Sequence, residues 1–242
     1  MGRTDRRPLR ALASELARAH PELADPEELI RAGSVLVDGL VVSNPASLVR
    51  VGSSISLRRD TTLRGQVKLR EALARFDLRM EGRVALDLGA AAGGFTRALL
   101  DAGAARVYAV DAGYGQLLGS LRQDARVVNL ERTNLGELDS RLVPETVEVI
   151  TIDLSYLSLA EAVPQLEAAR IDDRADLIAL VKPMFELALP APPTPEEELD
   201  DAVERAVSAL ERAVWSVQGT IRSPVVGSRG AVEFLVHARR SR

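Results

Sequence analysis

From Val84 onward the chain alternates short apolar runs with amphipathic helical stretches, and that alternation leaves few folds open. The apolar runs are Val84–Leu88, Val107–Val110, Val127–Leu130, Val147–Ile152 and Leu177–Val181, followed by Trp215–Ile221 and Val232–His237. Helical stretches such as Phe95–Ala102 and Leu159–Ala169 separate them, and Leu69, Ala72, Leu73 and Phe76 form a helical stripe ahead of the first, with Lys68 flanking it. Strands at this spacing predict an α/β domain: a Rossmann-like, mostly parallel, doubly wound sheet. A Pro-rich, then acidic segment, Leu189–Glu198, leads into a helix expected over Leu199–Ala213.

Residues 1–58 read differently. Helices are expected over Leu9–Ala19 and Pro26–Ala32, then two short apolar strands joined at Asp38-Gly39, a strong hairpin signal. A further strand, Ser54–Leu57, completes a small α+β module. Residues 59–66 then serve as a linker, and 67–242 form the α/β domain.

Composition sets limits on chemistry. With no cysteine and only His20 and His237, disulfides, thiolate zinc sites and Cys/His nucleophilic pairs are excluded, and no metal is expected. No run of about 18 apolar residues occurs, and no apolar segment follows the basic start, so a cytoplasmic protein without membrane spans is expected. The net charge of −4 argues mildly against a nucleic-acid partner, although an RNA site needs only a local basic face. Of 31 basic residues only Lys68 and Lys182 are lysine. In a chain that otherwise uses arginine, a lysine marks a place for a cation whose proton can be lost.

The strongest motif is Leu86-Asp87-Leu88-Gly89-Ala90-Ala91-Ala92-Gly93-Gly94-Phe95, directly after the first strand of the sheet. Small residues there let backbone approach a cofactor and leave helix N-terminal N–H groups available. The spacing is not that of a dinucleotide site, and Asp87 would repel a pyrophosphate. An acidic residue suits a cofactor with a positive amino-acid end and no phosphate, which describes S-adenosylmethionine. Cofactor contacts are therefore expected from Asp87, Gly89, Ala90, Ala91, Gly93, Gly94 and Phe95. Asp111, ending the second strand, is placed for ribose hydroxyls, and Asn134, after the third, for the adenine. The fourth and fifth strands end in Asp153 and Lys182, and the last carries Glu233. Charged groups at the carboxyl ends of central strands belong to a site, not a core.

Two resemblances add to this reading. Leu29–Gly39, Asn44-Pro45 and Ile55–Leu57 resemble the alpha-L RNA-binding domain named after ribosomal small-subunit protein four, which implies RNA contact through Arg3, Arg6, Arg7, Arg10 and Arg31. The module carries nine arginines against eight acids over residues 1–60, and Asp25-Pro-Glu-Glu28 stands where that domain has basic residues. Arg64–His237 resembles the FtsJ-type ribose methyltransferases, and the whole arrangement resembles the TlyA/hemolysin A family. The matching stretches are Asp87–Thr96, Tyr108–Gln116, Leu121–Asp124, Leu130–Asn134, Ile152–Ser158, Leu180–Glu186 and Ser223–Gly227. The resemblance implies a Lys-Asp-Lys-Glu catalytic tetrad on Lys68, Asp153, Lys182 and Glu233, with Asp153 also against the cofactor. It implies methylation of a cytidine 2′-hydroxyl in 16S and/or 23S ribosomal RNA, free or within ribosomal subunits. In that scheme Lys182 holds the hydroxyl or, once deprotonated, acts as the base, Lys68 stabilises the developing alkoxide, and the carboxylates orient both lysines.

The sequence departs from the family pattern at Leu63-Arg64-Gly65-Gln66, at Met184, at Ala231 and in the Pro-rich acidic segment, where Leu187–Glu204 holds six acids and no base. The rival reading is an RNA-binding or ribosome-assembly factor that keeps the fold without turnover.

Overall fold

The computed structural model describes residues 8–23, 25–31, 33–42, 44–57 and 62–241. The chain divides into two compact units. One runs to Thr62 and takes in Leu118–Gln123, and the other comprises Leu63–Leu117 with Asp124–Arg242.

The smaller unit contains β1 (Leu9–Ala11), α1 (Leu12–Ala19), α2 (Pro26–Arg31), β2 (Val35–Val37), β3 (Leu40–Val41), β4 (Leu48–Arg50) and β5 (Ile55–Leu57). Asp38 and Gly39 both take positive φ and close the β2–β3 hairpin, and β5 pairs with the other side of β2. The expected helix from Leu9 starts only at Leu12. Leu9–Ala11 instead pair antiparallel with β4, and half-exposed Leu9 stands outside the helical stripe. Leu12, Leu16, Ile30, Val35 and Val49 form the core. Arg3, Arg6 and Arg7 lie outside the described residues. Arg10 pairs with Glu15 at 3.2 Å and Arg31 pairs with Glu27, so neither described arginine faces solvent without a carboxylate beside it.

The larger unit opens with α3 (Arg64–Arg75), which starts inside the stretch expected as linker. There follow β6 (Val84–Leu88), α4 (Gly94–Asp101), β7 (Arg106–Asp111), then α5 (Gly119–Arg122) of the smaller unit, then β8 (Val127–Glu131) and β9 (Val147–Ile152). The chain continues through α6 (Leu159–Ala162), β10 (Ile171–Val181), α7 (Pro183–Glu186), α8 (Glu196–Arg212), β11 (Trp215–Arg222) and β12 (Phe234–Arg240). The seven strands order as β11-β12-β10-β9-β6-β7-β8. The five from β10 to β8 are parallel, whereas β12 runs antiparallel to β10, and β11 to β12. Leu86, Leu88, Ile150, Ile152, Leu177 and Val181 are fully or almost fully buried at its centre.

Strand order reverses between β6 and β9, and open α/β sheets bind ligands outside the strand ends at such a point. The helix expected over Leu159–Ala169 tightens after Ala162 into a 3₁₀ turn, Val163–Ala168, because Pro164 has no N–H to continue the α-helical ladder. At the start of α4, a Cβ on Gly94 would lie 2.9 Å from Gly65 Cα. Backbone-to-backbone contact of α3 and α4 there fixes Lys68, one turn along α3.

The opposite end of the sheet is closed by a polar cluster around the buried Asp176 and His237. Asp176 accepts from His237 Nε2 at 2.8 Å, Arg83 at 2.8 Å and Arg239 at 3.1 Å. Burial works against ionisation of Asp176, but His237, Arg83 and Arg239 together hold its pKa down at about 2. A carboxylate depressed in the folded state stabilises above its unfolded pKa and loses that contribution as pH falls toward its folded one. Asp176→Asn is therefore expected to cost about 2 kcal/mol at neutral pH, a difference that vanishes as pH falls from about 4 to about 2. Chemical denaturation across that range measures it.

Candidate active site

Two clefts flank the carboxyl ends of β6 and β9. The first, of about 580 Å³, is lined by Gly89, Ala91, Asp111, Gln116, Leu135, Asp153, Leu154, Ser155 and Tyr156, among others. Gly89 takes φ +82°, and a Cβ on it would lie 2.4 Å from the Asp153 carbonyl oxygen, so only glycine lets the two strand ends meet. Gly89 and Ala90 N–H groups donate to the Val110 carbonyl, and Asp153 N–H donates to that of Leu88. Asp111 accepts from Ala91 N at 2.8 Å and Gly113 N at 2.7 Å, tying the glycine turn to the end of β7. Each carboxylate oxygen keeps a further lone pair for a hydroxyl.

The expected cofactor residues separate into two groups. Gly89, Ala91, Asp111 and Asp153 line the cleft, whereas Asp87, Ala90, Phe95 and Asn134 do not. Asp87 is sealed from solvent, and its two oxygens accept from Thr96 Oγ1 at 2.6 Å and Thr151 Oγ1 at 2.8 Å. Burial pushes its pKa up to about 6 against those two hydroxyl bonds. Asp87 thus braces the turn through Thr96 and Thr151 and is not among the residues that line the cleft. Ala90 and Phe95 are buried, and Gly93 and Gly94 begin α4, with Gly93 in the left-handed region. Asn134 is exposed, and Glu137 accepts from its backbone N–H at 2.8 Å across the 3₁₀ turn Leu135–Glu137. That turn presents Leu135, not Asn134, to the cleft. Leu135, Ser155 and Tyr156 escaped sequence reasoning, which looks for charges and glycines, although Ser155 and Tyr156 fall within Ile152–Ser158.

The second cleft, of about 460 Å³, is lined by Ser155, Lys182, Met184, Phe185, Pro192, Pro193, Ser228 and Glu233, with Pro183, Ala231 and Val232. Ser155 is common to both clefts. The four tetrad residues resolve into two ion pairs. Lys182 Nζ lies 2.6 Å from Asp153 Oδ1 and donates to Ser155 Oγ at 2.8 Å. Lys68 Nζ lies 2.5 Å from Glu233 Oε2, both side chains 7% exposed. Lys68 is buried against Glu233 and is not among the residues that line the cleft. Glu233 precedes β12 instead of lying within it, and the Gly227 backbone presses on its carboxyl: a Cβ there would come within 2.1 Å of Oε1.

The first cleft suits S-adenosylmethionine. Among the described residues two carboxylates and no basic side chain line it, beside Val110, Leu135 and Leu154. A pyrophosphate would find no counter-charge there, whereas a sulfonium with an ammonium finds two carboxylates.

The FtsJ-like methyltransferase family model matches residues 62–240. The 16S/23S rRNA (cytidine-2′-O)-methyltransferase TlyA of Mycobacterium tuberculosis is 40% identical over 234 residues, covering 93% of this chain and 85% of its own. The chain belongs to the FtsJ-like methyltransferases, in their TlyA/hemolysin A branch. As a methyltransferase of this family it uses S-adenosylmethionine. Hemolysin A of Brachyspira hyodysenteriae is 30% identical over 220 residues, covering 87% of this chain and 91% of its own. A solved structure carrying a hemolysin name, from Streptococcus thermophilus, superposes with TM-score 0.71 at 29% identity, covering 97% of this chain and 89% of the other. No helix among the described residues is long and apolar enough to cross a membrane.

Proposed function

We propose that this chain methylates a ribose 2′-hydroxyl of ribosomal RNA, a cytidine in the 16S molecule, the 23S molecule or both. The observation carrying the reading is the placement of Lys182. It is bonded to Asp153 of the first cleft and to Ser155, which both clefts share, so it stands where a hydroxyl in the second cleft would meet a cofactor in the first. The activity named for the M. tuberculosis relative supplies the substrate class.

S-adenosylmethionine, when bound, supplies an electrophilic methyl group on a sulfonium. Gly89, Ala91, Asp111, Leu135 and Tyr156 would hold it, with Asp153 beside Lys182. An ammonium has three donors. Asp153 and Ser155 engage two from Lys182, and the third serves the 2′-hydroxyl oxygen and fixes its lone pair for in-line attack. Glu233, on the wall of the second cleft, accepts the hydroxyl proton as the oxygen loses electron density, and Lys68 holds that carboxylate in place. The smaller unit docks RNA, with Arg10 and Arg31 exchanging their carboxylate partners for phosphates.

Labelled S-adenosylmethionine incubated with unmodified ribosomal subunits is expected to transfer its methyl to a cytidine. The phosphodiester following that nucleotide should resist alkaline hydrolysis. Label on a base, or on ribosomal protein, would refute the proposal.

A further inference from the structure

Glu186, four residues beyond Lys182, has no part in the mechanism above, yet it is a buried carboxyl, on the wall of a separate cavity with Ser158, Glu204 and Arg205. Its Oε1 accepts from the backbone N–H of Leu159, the first residue of α6, at 3.0 Å. The two turns that make up the site are thereby joined twice. On one side Lys182 reaches across to Asp153 and Ser155, and on the other Glu186 reaches across to Leu159. Within α7 the Phe185 and Glu186 N–H groups donate to the Lys182 carbonyl, so the backbone from Lys182 to Glu186 is one tight turn. Ser158 and Glu161 brace the start of α6 with bonds of 3.0 and 2.8 Å. The contacts close a ring: Asp153 to Leu159 along one turn, across to Glu186, back along α7 to Lys182, and across to Asp153.

We propose that Glu186 is a positioning residue for Lys182, its bond to Leu159 locking the lysine's turn onto the turn of Asp153 and Ser155. The inference rests on Lys182 acting in methyl transfer. A lysine side chain has four rotatable bonds, and its ammonium is held in one place only if both of its ends are fixed. The Glu186 bond fixes the backbone end. The choice of residue supports the assignment: burial pushes Glu186 up to about 7, with Glu161 adding to the effect against the Leu159 bond. An apolar side chain would fill this position without that penalty, so the carboxyl is retained for the bond it makes.

The test exploits the presence of only two lysines in the chain. Isotopic labelling of lysine gives two side-chain resonances in the full-length protein, and Lys182→Arg assigns which is which. Glu186→Met removes the acceptor and preserves volume, whereas Glu186→Gln keeps an oxygen acceptor for Leu159. The Met variant is expected to shift or broaden the Lys182 resonance and leave that of Lys68 in place, and the Gln variant should return it to the wild-type position. In turnover the Met variant should lose at least about 10-fold in kcat with an unchanged S-adenosylmethionine Kd, a misplacement effect that Gln rescues. An unmoved Lys182 resonance in the Met variant overturns the proposal, as does a Gln variant that shifts it equally. The resonances are read without substrate, so their answer stands apart from whether ribosomal RNA is methylated.

Discussion

Lys182→Ala is expected to lower kcat for methyl transfer by about 10²- to 10³-fold, the scale on which a preorganised charge at a reacting oxygen acts. Lys182 has no substitute in the second cleft, because no other cation among the described residues lines it. S-adenosylmethionine binding should survive. Removing the ammonium leaves Asp153, with 24% of its side chain exposed, without its closest cation, and a carboxylate so released attracts a sulfonium as well as before. Lys182→Arg should fail to rescue. A guanidinium presents a planar fork, and the partners here are one carboxylate oxygen and one hydroxyl reached by a compact ammonium. Lys68→Ala should also lose turnover, but by releasing Glu233. Radiolabel incorporation measures kcat and calorimetry measures Kd. Turnover within tenfold of wild type for Lys182→Ala would remove the lysine from the mechanism.

The scarcity of lysine was the most informative residue statistic, and the structure gives it physical content. Both lysines lie in short ion pairs with carboxylates. Of these, Glu233 was expected inside the last strand and stands just before it. Asp153 was legible from sequence, since a charged residue closing an apolar run has no place in a core. The five parallel strands were legible for the same reason, as were the glycine turn and the Asp38-Gly39 hairpin. Other features turn on distance in three dimensions. Asp87 looked like a cofactor ligand by position, yet Thr96 and Thr151, nine and 64 residues away, cover it. Asn134, expected at the adenine, caps the 3₁₀ turn that carries Leu135 into the cleft wall, a placement set by the Glu137 bond to its backbone N–H. The β1–β4 pair joins segments of three residues each, too short to show periodicity. Ser155 and Gly227 matter only because Lys182 and Glu233 arrive beside them.

Gly89→Ala is expected to be the most damaging single methyl group that can be added to the cofactor cleft. The residue sits at φ +82°, where an L side chain is already strained by about 1–2 kcal/mol. The added Cβ would also lie 2.4 Å from the Asp153 oxygen and 2.9 Å from its carbonyl carbon. Those are backbone atoms that cannot swing aside, because Asp153 N–H is bonded to the Leu88 carbonyl at 2.9 Å and both strands lie in the middle of the sheet. Relief requires separating the ends of β6 and β9, which displaces Asp153 and, through it, Lys182. The expected cost is at least about 3 kcal/mol of stability, together with a loss of about 100-fold or more in S-adenosylmethionine affinity. Gly82 provides the control: it has φ +73°, nothing within 4 Å of its would-be Cβ, and a place in the turn before β6. Gly82→Ala carries the backbone strain without the collision and should cost about 1 kcal/mol with cofactor affinity intact. If both variants lost stability equally and both bound cofactor normally, the close approach of the two strand ends would not be what shapes the cleft. If only Gly89→Ala lost binding, the glycine is there to bring the Asp153 backbone within reach of the site.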